Sequence, residues 1–386
     1  MVSLLGSFFT SSASMMNLRV QDMRVAEAAL IKSATKFKGV NNDDRLRNEV
    51  HKMELFDTKI PRGVIPLEDG EDCQINSCEN YNTDKEFDND LVMHGIKVTS
   101  NTFDKDTSFP LVLLHGYANG SLYFYRNLLG LSKHHFNGEV YALDMLGWGL
   151  SSRPKYKLDN GKKQLENEID MTEEFFVESL EAWRKANNLE KMILGGHSMG
   201  GYFSVAYTEK YPQHVDRLIL ISPVGVPHLK EDILDRKDIP WKYKVMGKCA
   251  QKLWITGYTP SGLVRSLPEA QSRKIVGKYV EKRLPAITCP EERKHLTDYL
   301  YTNAALPASG ENCLNKFLNP FGYAKRPTVD RIPHLKVKNV SFIYGEKDWM
   351  DSAGGLEVKE ICQKLKEDGK SNIPHIQVLE VKDAGK

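Results

Sequence analysis

The chain has 386 residues, 41% hydrophobic and 9% aromatic, which is enough to bury a large core and excludes global disorder. Its 53 basic and 51 acidic side chains leave a net charge of +2, so no nucleic-acid partner is expected, although a local basic patch against an anionic lipid surface remains open. The six cysteines (Cys73, Cys78, Cys249, Cys289, Cys313 and Cys362) are scattered, match no zinc spacing, and read as free thiols of a reducing compartment.

No stretch reaches the roughly 18 apolar residues that a membrane-spanning helix needs. Met1 to Met16 is Ser-rich, apolar and uncharged, without the Lys or Arg that precedes the apolar run of a secretory signal. Arg19 and Arg24, with no acidic residue before Asp22, leave two readings: an organelle transit peptide, or an N-terminus that frays or touches lipid. Residues 20–60 read as one or two helices, with Ala26, Ala29, Leu30, Ala34 and Phe37 on a weak apolar face. Residues 61–91, with Pro61, Pro66 and the acidic run Glu68 to Asp72, read as a mobile surface insertion. Residues 1–91 together are expected to form a helical and irregular N-terminal extension.

From residue 92 the pattern changes to short β-branched runs alternating with helices. Leu111–Leu114, Val140–Leu143, Met192–Leu194, Leu218–Ile221, Val340–Tyr344 and Ile376–Val381 read as strands covered on both faces. A helix is expected over Thr172–Asn188, with Thr172 capping its start and Phe176, Leu180 and Trp183 on one face. The expectation is an α/β fold, a doubly wound, mostly parallel sheet with functional groups at the carboxyl ends of its strands. Residues 92–225 form its first part and 336–386 its second. Between them, residues 226–335 read as a helical cap rich in Lys, Leu, Trp and Tyr.

Gly196-His197-Ser198-Met199-Gly200 has the spacing of a nucleophile elbow, a tight strand-to-helix turn whose flanking positions admit no side chain. Ser198 is the candidate nucleophile. The backbone N–H groups of Met199 and of Tyr117, in His115-Gly116-Tyr117, are the candidate oxyanion donors. His115 reads as a loop staple, and Asp144, at the next strand end, as structural. The acid is expected after the fifth strand, in Gly345 to Asp351, with Asp348 the first candidate and Asp351 the reserve. The triad order of such folds then calls for a histidine past the last strand. Only Asp383-Ala384-Gly385-Lys386 follows there, and His375, the one histidine after the acid, precedes the strand and is a weak candidate base. The expectation is a chain cut short before its catalytic histidine, or a protein without one.

Several segments then occur in order: Leu146-Gly147-Trp148-Gly149-Leu150-Ser151-Ser152-Arg153-Pro154, the elbow, Lys210-Tyr211-Pro212, Ser222 to Pro227, and the cap stretch Tyr299 to Pro327 with Asn303 and Ser309-Gly310-Glu311. Together they resemble a lipid-directed subfamily of the α/β-hydrolase fold. It includes N-acylphosphatidylethanolamine lipase, its lipid-droplet coactivator relative, plant lysophosphatidate acyltransferase/phospholipases and the fungal cardiolipin-specific deacylase. The resemblance implies a serine ester hydrolase of phospholipids or lysophospholipids, working through an acyl-enzyme at a peripheral membrane or lipid-droplet surface, without metal or organic cofactor. Acyl transfer to lysophosphatidate, attributed in the family to a His-x4-Asp motif beyond the last strand, has no matching residues here. Two rivals stand beside this reading: a catalytically impaired lipid-surface scaffold, and a proline-iminopeptidase-like hydrolase. The expected location is cytoplasmic and peripheral to lipid, with the mitochondrion as alternative.

Overall fold

The computed structural model describes residues 2–36, 51–65, 90–100, 108–134, 138–155, 165–229 and 241–385. Its strands are β1 (His51–Pro61), β2 (Asp90–Ser100), β3 (Leu111–Leu114), β4 (Val140–Leu143), β5 (Met192–His197), β6 (Val215–Ile221), β7 (Asn339–Gly345) and β8 (His375–Val381). They form one sheet in the order β1-β2-β4-β3-β5-β6-β7-β8. The pairs from β4 and β3 through to β8 are parallel, whereas β1 and β2 complete one side antiparallel.

Apolar runs are needed here because both faces of the sheet are covered. In β3, Val112 and Leu114 pack into one cluster with Phe175, Phe176 and Trp183 of α3 (Leu165–Ala186) and Phe203 of α4 (Met199–Lys210). Leu111 and Leu113 pack into the other, with Met23 and Leu30 of α1 (Val2–Lys36) and Leu128 of α2 (Leu128–His134). The chain passes from β3 out to β4 and then back across to β5. Strand order therefore reverses at β3, and the carboxyl ends of β3 and β5 flank a crevice of the kind where such sheets bind ligands.

Two sequence expectations are corrected. The residues from 51 onward, read as helical, form the outer strand β1, paired along its whole length with β2. The two-residue period of Leu55 to Ile60 decides it: Leu55, Asp57 and Lys59 face solvent while Phe56, Thr58 and Ile60 turn inward. Thr172 does not cap α3 but lies inside it, donating its hydroxyl to the Glu168 carbonyl one turn back at 2.8 Å. Phe176, Leu180 and Trp183 are buried. The expected insertion over 61–91 lies mostly outside the described residues.

Between β6 and β7 stand α5 (Trp241–Ile255), α6 (Pro260–Ser266), α7 (Glu269–Arg283), α8 (Pro290–Ala305) and α9 (Leu314–Phe317); α10 (Ala353–Glu367) follows β7. Motif residues join this helical layer to the sheet. Ser151 and Ser152 accept the N–H groups of His94 and Val92, both at 2.8 Å, fastening the loop after β4 to β2. Arg153 donates to the carbonyls of Gly147 and Pro307, each at 2.8 Å, and of Gly149 at 3.1 Å. Asn303 of α8 accepts Gly149 N–H at 2.9 Å and donates to Asn119 O at 2.8 Å.

Helix α1 straps across both layers. Arg19 donates to Ala305 O, and Ser33 meets His295 at 3.4 Å. Beneath it the buried Glu27 carboxylate lies 3.4 Å from His94 Nε2, while His94 Nδ1 bonds Asp57 at 2.7 Å. Burial pushes the Glu27 pKa up. At His94 burial works against the charge, but the Glu27 and Asp57 carboxylates prevail and hold its pKa well above 6.5. Both groups thus bind protons more tightly folded than unfolded. Their stabilisation is complete below the unfolded values and is lost as pH rises through the folded ones. Urea midpoints followed by circular dichroism should therefore fall as pH is raised from 6.5 into the alkaline range, and Glu27→Gln should flatten that slope.

Candidate active site

Strand β5 enters α4 through Ser198, whose φ of 55° and ψ of −116° are sterically unfavourable for a residue with a side chain. Such a conformation costs on the order of 1–3 kcal/mol and persists only where its surroundings enforce it. The enforcement is visible. Ser198 N–H donates to Ile221 O at 2.9 Å, and Ser198 O accepts Val224 N–H at 3.3 Å. A Cβ on Gly196 would lie 2.4 Å from Gly200 O, and one on Gly200 would lie 2.5 Å from Leu114 O. The close crossing of backbones explains both glycines. Ser198 is thereby set half-buried at the carboxyl end of β5, and Met199 opens α4 with an N–H that has no acceptor within the helix.

The loop after β3 abuts this turn. A Cβ on Gly116 would come within 2.9 Å of the Ser198 Cβ, so His115-Gly116-Tyr117 borders the serine directly. His115 is fully buried, and burial lowers its pKa, which keeps it neutral. Its Nε2 accepts Met145 N–H at 3.1 Å, which leaves Nδ1 protonated to donate to Gly116 O at 2.7 Å. It ties the loops after β3 and β4 together. Asp144 does similar work, accepting Ser121 N–H at 2.5 Å and Leu150 N–H at 2.9 Å. The Tyr117 hydroxyl reaches the helical layer, 3.0 Å from the Ser261 hydroxyl at the start of α6, and burial raises its pKa to about 12.

Asp348 follows β7, two strands from β5. Its Oδ1 accepts Met350 N–H at 2.9 Å and its Oδ2 accepts the Ser222 hydroxyl. Ser222, at the end of β6, has φ of 44°, and its N–H is bound to Ile343 O at 2.8 Å. The sequence reading missed Ser222 as a partner of the acid; its place one residue past a strand end was the available signal. Asp351, the reserve acid, is exposed and bonds Ala353 N–H at 2.9 Å at the start of α10.

His375 is ruled out as a base by topology. It pairs with Asn339 at the amino end of the parallel β7–β8 pair, while Asp348 follows the carboxyl end, a strand length of about 20 Å away. The turn after β8 does reach the Asp348 loop: Lys347 N–H donates to Ala384 O at 2.8 Å, and Lys347 pairs with Asp383 at 2.7 Å. A further aromatic wall, absent from the sequence reading, is Tyr123, stacked on the His197 ring beside Ser198 at 5.5 Å.

Among the described residues, one grouping has the spacing of a metal site: Glu27, His94 and Asp144, with one atom from each within 4.8 Å of the others. It lies under α1. Both Asp144 oxygens accept backbone N–H groups and His94 Nδ1 bonds Asp57, while the buried Glu27 oxygens and His94 Nε2 have no hydrogen bond among the described residues and meet only in the 3.4 Å ion contact.

A model of the α/β-hydrolase fold matches residues 110–385, and the chain belongs to this family. Its relatives carry lipid-directed names. The chain is 37% identical over 269 residues to a 1-acylglycerol-3-phosphate O-acyltransferase of Arabidopsis thaliana, covering 67% of this chain and 60% of that one. It is 33% identical over 285 residues to 1-acylglycerol-3-phosphate O-acyltransferase ABHD5 of Homo sapiens, covering 70% and 73%. To the (lyso)-N-acylphosphatidylethanolamine lipase of Mus musculus it is 31% identical over 270 residues, covering 68% and 71%. The chain thus spans about three fifths of the length of the plant relatives. Among solved structures, a bacterial membrane phospholipase A superimposes with a TM-score of 0.52 at 15% identity, covering 100% of this chain and 90% of that one. Carboxylesterase CesB of Bacillus subtilis gives 0.50 at 16%, covering 95% and 92%. These two show the fold alone.

The elbow geometry is testable by stability. A methyl at Gly200 would press on backbone carbonyls that cannot yield, whereas one at Gly130 of α2 would meet nothing within 4 Å. Gly200→Ala should destabilise by about 2 kcal/mol in thermal unfolding, and Gly130→Ala should be neutral or slightly stabilising.

Proposed function

We propose that the chain carries the core of a serine ester hydrolase acting on the acyl esters of phospholipids or lysophospholipids. The observation that carries this reading is Ser198, forced into a left-handed turn between a strand and a helix, with the Gly116 loop in contact with it. The Ser198 hydroxyl attacks the ester carbonyl and forms an acyl-enzyme, expelling the alcohol of the lipid. The Met199 and Tyr117 N–H groups bind the developing oxyanion, water being kept out by the overlying helices. Asp348, fixed by Ser222 and Met350, orients the imidazole that takes the serine proton. A histidine carried just past the turn Asp383-Ala384-Gly385 would enter beside Asp348, because that turn is bonded to Lys347. Water then releases the fatty acid. A lysophospholipid hydroxyl in place of water would take up the acyl group, the outcome that the acyltransferase names of the relatives favour.

The test is a fluorophosphonate probe together with fatty-acid release from lysophospholipid, on protein carrying the histidine. Ser198→Ala should abolish labelling and turnover, and Asp348→Asn should lower kcat about a thousandfold or more. Equal labelling of Ser198→Ala would refute the assignment.

A further inference from the structure

We infer that the outward face of α5 docks the protein on an anionic phospholipid bilayer. This inference rests on the ester-hydrolase reading only for its biological sense; the surface itself stands on charge and exposure. Residues 241–283 contain ten lysines and arginines against two acidic residues, Glu269 and Glu281, a net +8 in a chain whose total is only +2. The rest of the chain is therefore net −6, and the positive charge is concentrated in one stretch.

That stretch is also where apolar surface is left uncovered. Of 18 exposed large hydrophobic residues among the described ones, eight lie within it. Helix α5 leaves Trp241 70% and Ile255 69% exposed, with Val245 and Leu253 also exposed between them. Interleaved are Lys242, Lys244, Lys248 and Lys252, for which no acidic partner occurs among the described residues. Helix α7 adds charge more than apolar surface: Ser272, Val276 and Val280 are buried, the exposed Lys274 and Lys278 lie opposite them, and Ile275 and Tyr279 are exposed at the flank of the buried stripe. Arg265 and Arg273 are spent on Glu311, Glu269 and Asp298, so the lysines hold the free charge.

An apolar and basic mixture of this kind matches the two layers of an anionic membrane. Aromatic and aliphatic side chains enter the acyl boundary while lysine stems reach the phosphates. A soluble acidic partner would satisfy the lysines but leave Trp241 and Ile255 in need of a complementary apolar pocket. The cap also meets the site: in α6, the helix that follows α5, the Ser261 hydroxyl lies 3.0 Å from that of Tyr117, in the loop that borders Ser198. Docking would bring the crevice down to the lipid.

The experiment is co-sedimentation of the full chain with phosphatidylcholine vesicles, with and without about 30 mol % phosphatidylglycerol. Binding is expected only to the anionic vesicles and should weaken steeply with salt. The pairs Lys248→Glu/Lys252→Glu and Trp241→Ala/Ile255→Ala should each reduce the bound fraction about tenfold, with unchanged circular dichroism. Undiminished binding by both pairs, equal binding to neutral vesicles, or binding to soluble polyanions but not to vesicles would overturn the proposal. Hydrolysis of a water-soluble short-chain ester, measured in parallel on protein carrying the histidine, separates the two readings. Its loss with vesicle binding intact counts against the ester hydrolase, and its persistence with vesicle binding absent counts against docking alone.

Discussion

The arrangement depends on a buried knot of hydrogen bonds between Asn303, Arg153 and the glycine-rich loop after β4. Asn303 reaches from α8 to both loops around the serine, accepting from Gly149 and donating to Asn119. Arg153 gathers the carbonyls of Gly147, Gly149 and Pro307. All of these groups but Pro307 are out of water, and a buried donor or acceptor stripped of its partner costs about 1–3 kcal/mol. The helical layer is therefore held to the sheet by directed bonds that allow one seating. Gly147 shows how close that seating is: with φ of 84°, a Cβ there would lie 2.0 Å from Gly310 N.

From this knot the rest follows outward. The loop after β4 is positioned by Ser151 and Ser152 against β2, and by Asp144 against Ser121 and Leu150. His115 then passes that position on to Gly116, which touches Ser198. The serine turn is strained on its own, and it is stable because backbone contacts from β3, β6 and α4 leave it no other path. Residues that looked like separate sequence motifs are one mechanical assembly.

Much of this was legible in the sequence. Apolar runs mark the strands, and the six read that way are β3 to β8; the coverage expected on both faces holds for β3 to β5 but not for β8, an edge strand interrupted by Gln377 and Glu380 and left largely exposed. The Gly-x-Ser-x-Gly turn is legible because its glycines answer a local steric demand. The edge strand β1 was not, because a half-buried strand of eleven residues shows only a short alternation, and charged residues between His51 and Ile60 mask it. The Glu27–His94–Asp57 network was equally hidden, since its members lie on three distant segments and only the fold brings them together. For Ser222 the place just past a strand was legible, but its pairing with Asp348 follows only once β6 and β7 lie side by side. His375 was misleading: its position in the chain, after the acid, is right for a base, but the direction of β8 carries it to the wrong end of the sheet.

The strap formed by α1 fixes one helix of the helical layer, α8. Helix α8 is clamped from above by Arg19 and Ser33 and from below by Asn303. Helix α5, among the described residues, is bonded through Trp254, which donates to Leu318 O, and through Asn315, which donates to Trp254 O. Helix α8, by contrast, is fixed at both of its sides. Sequence change on α8, or on the face of α1 that holds it, therefore alters the reference frame of the loops around the serine.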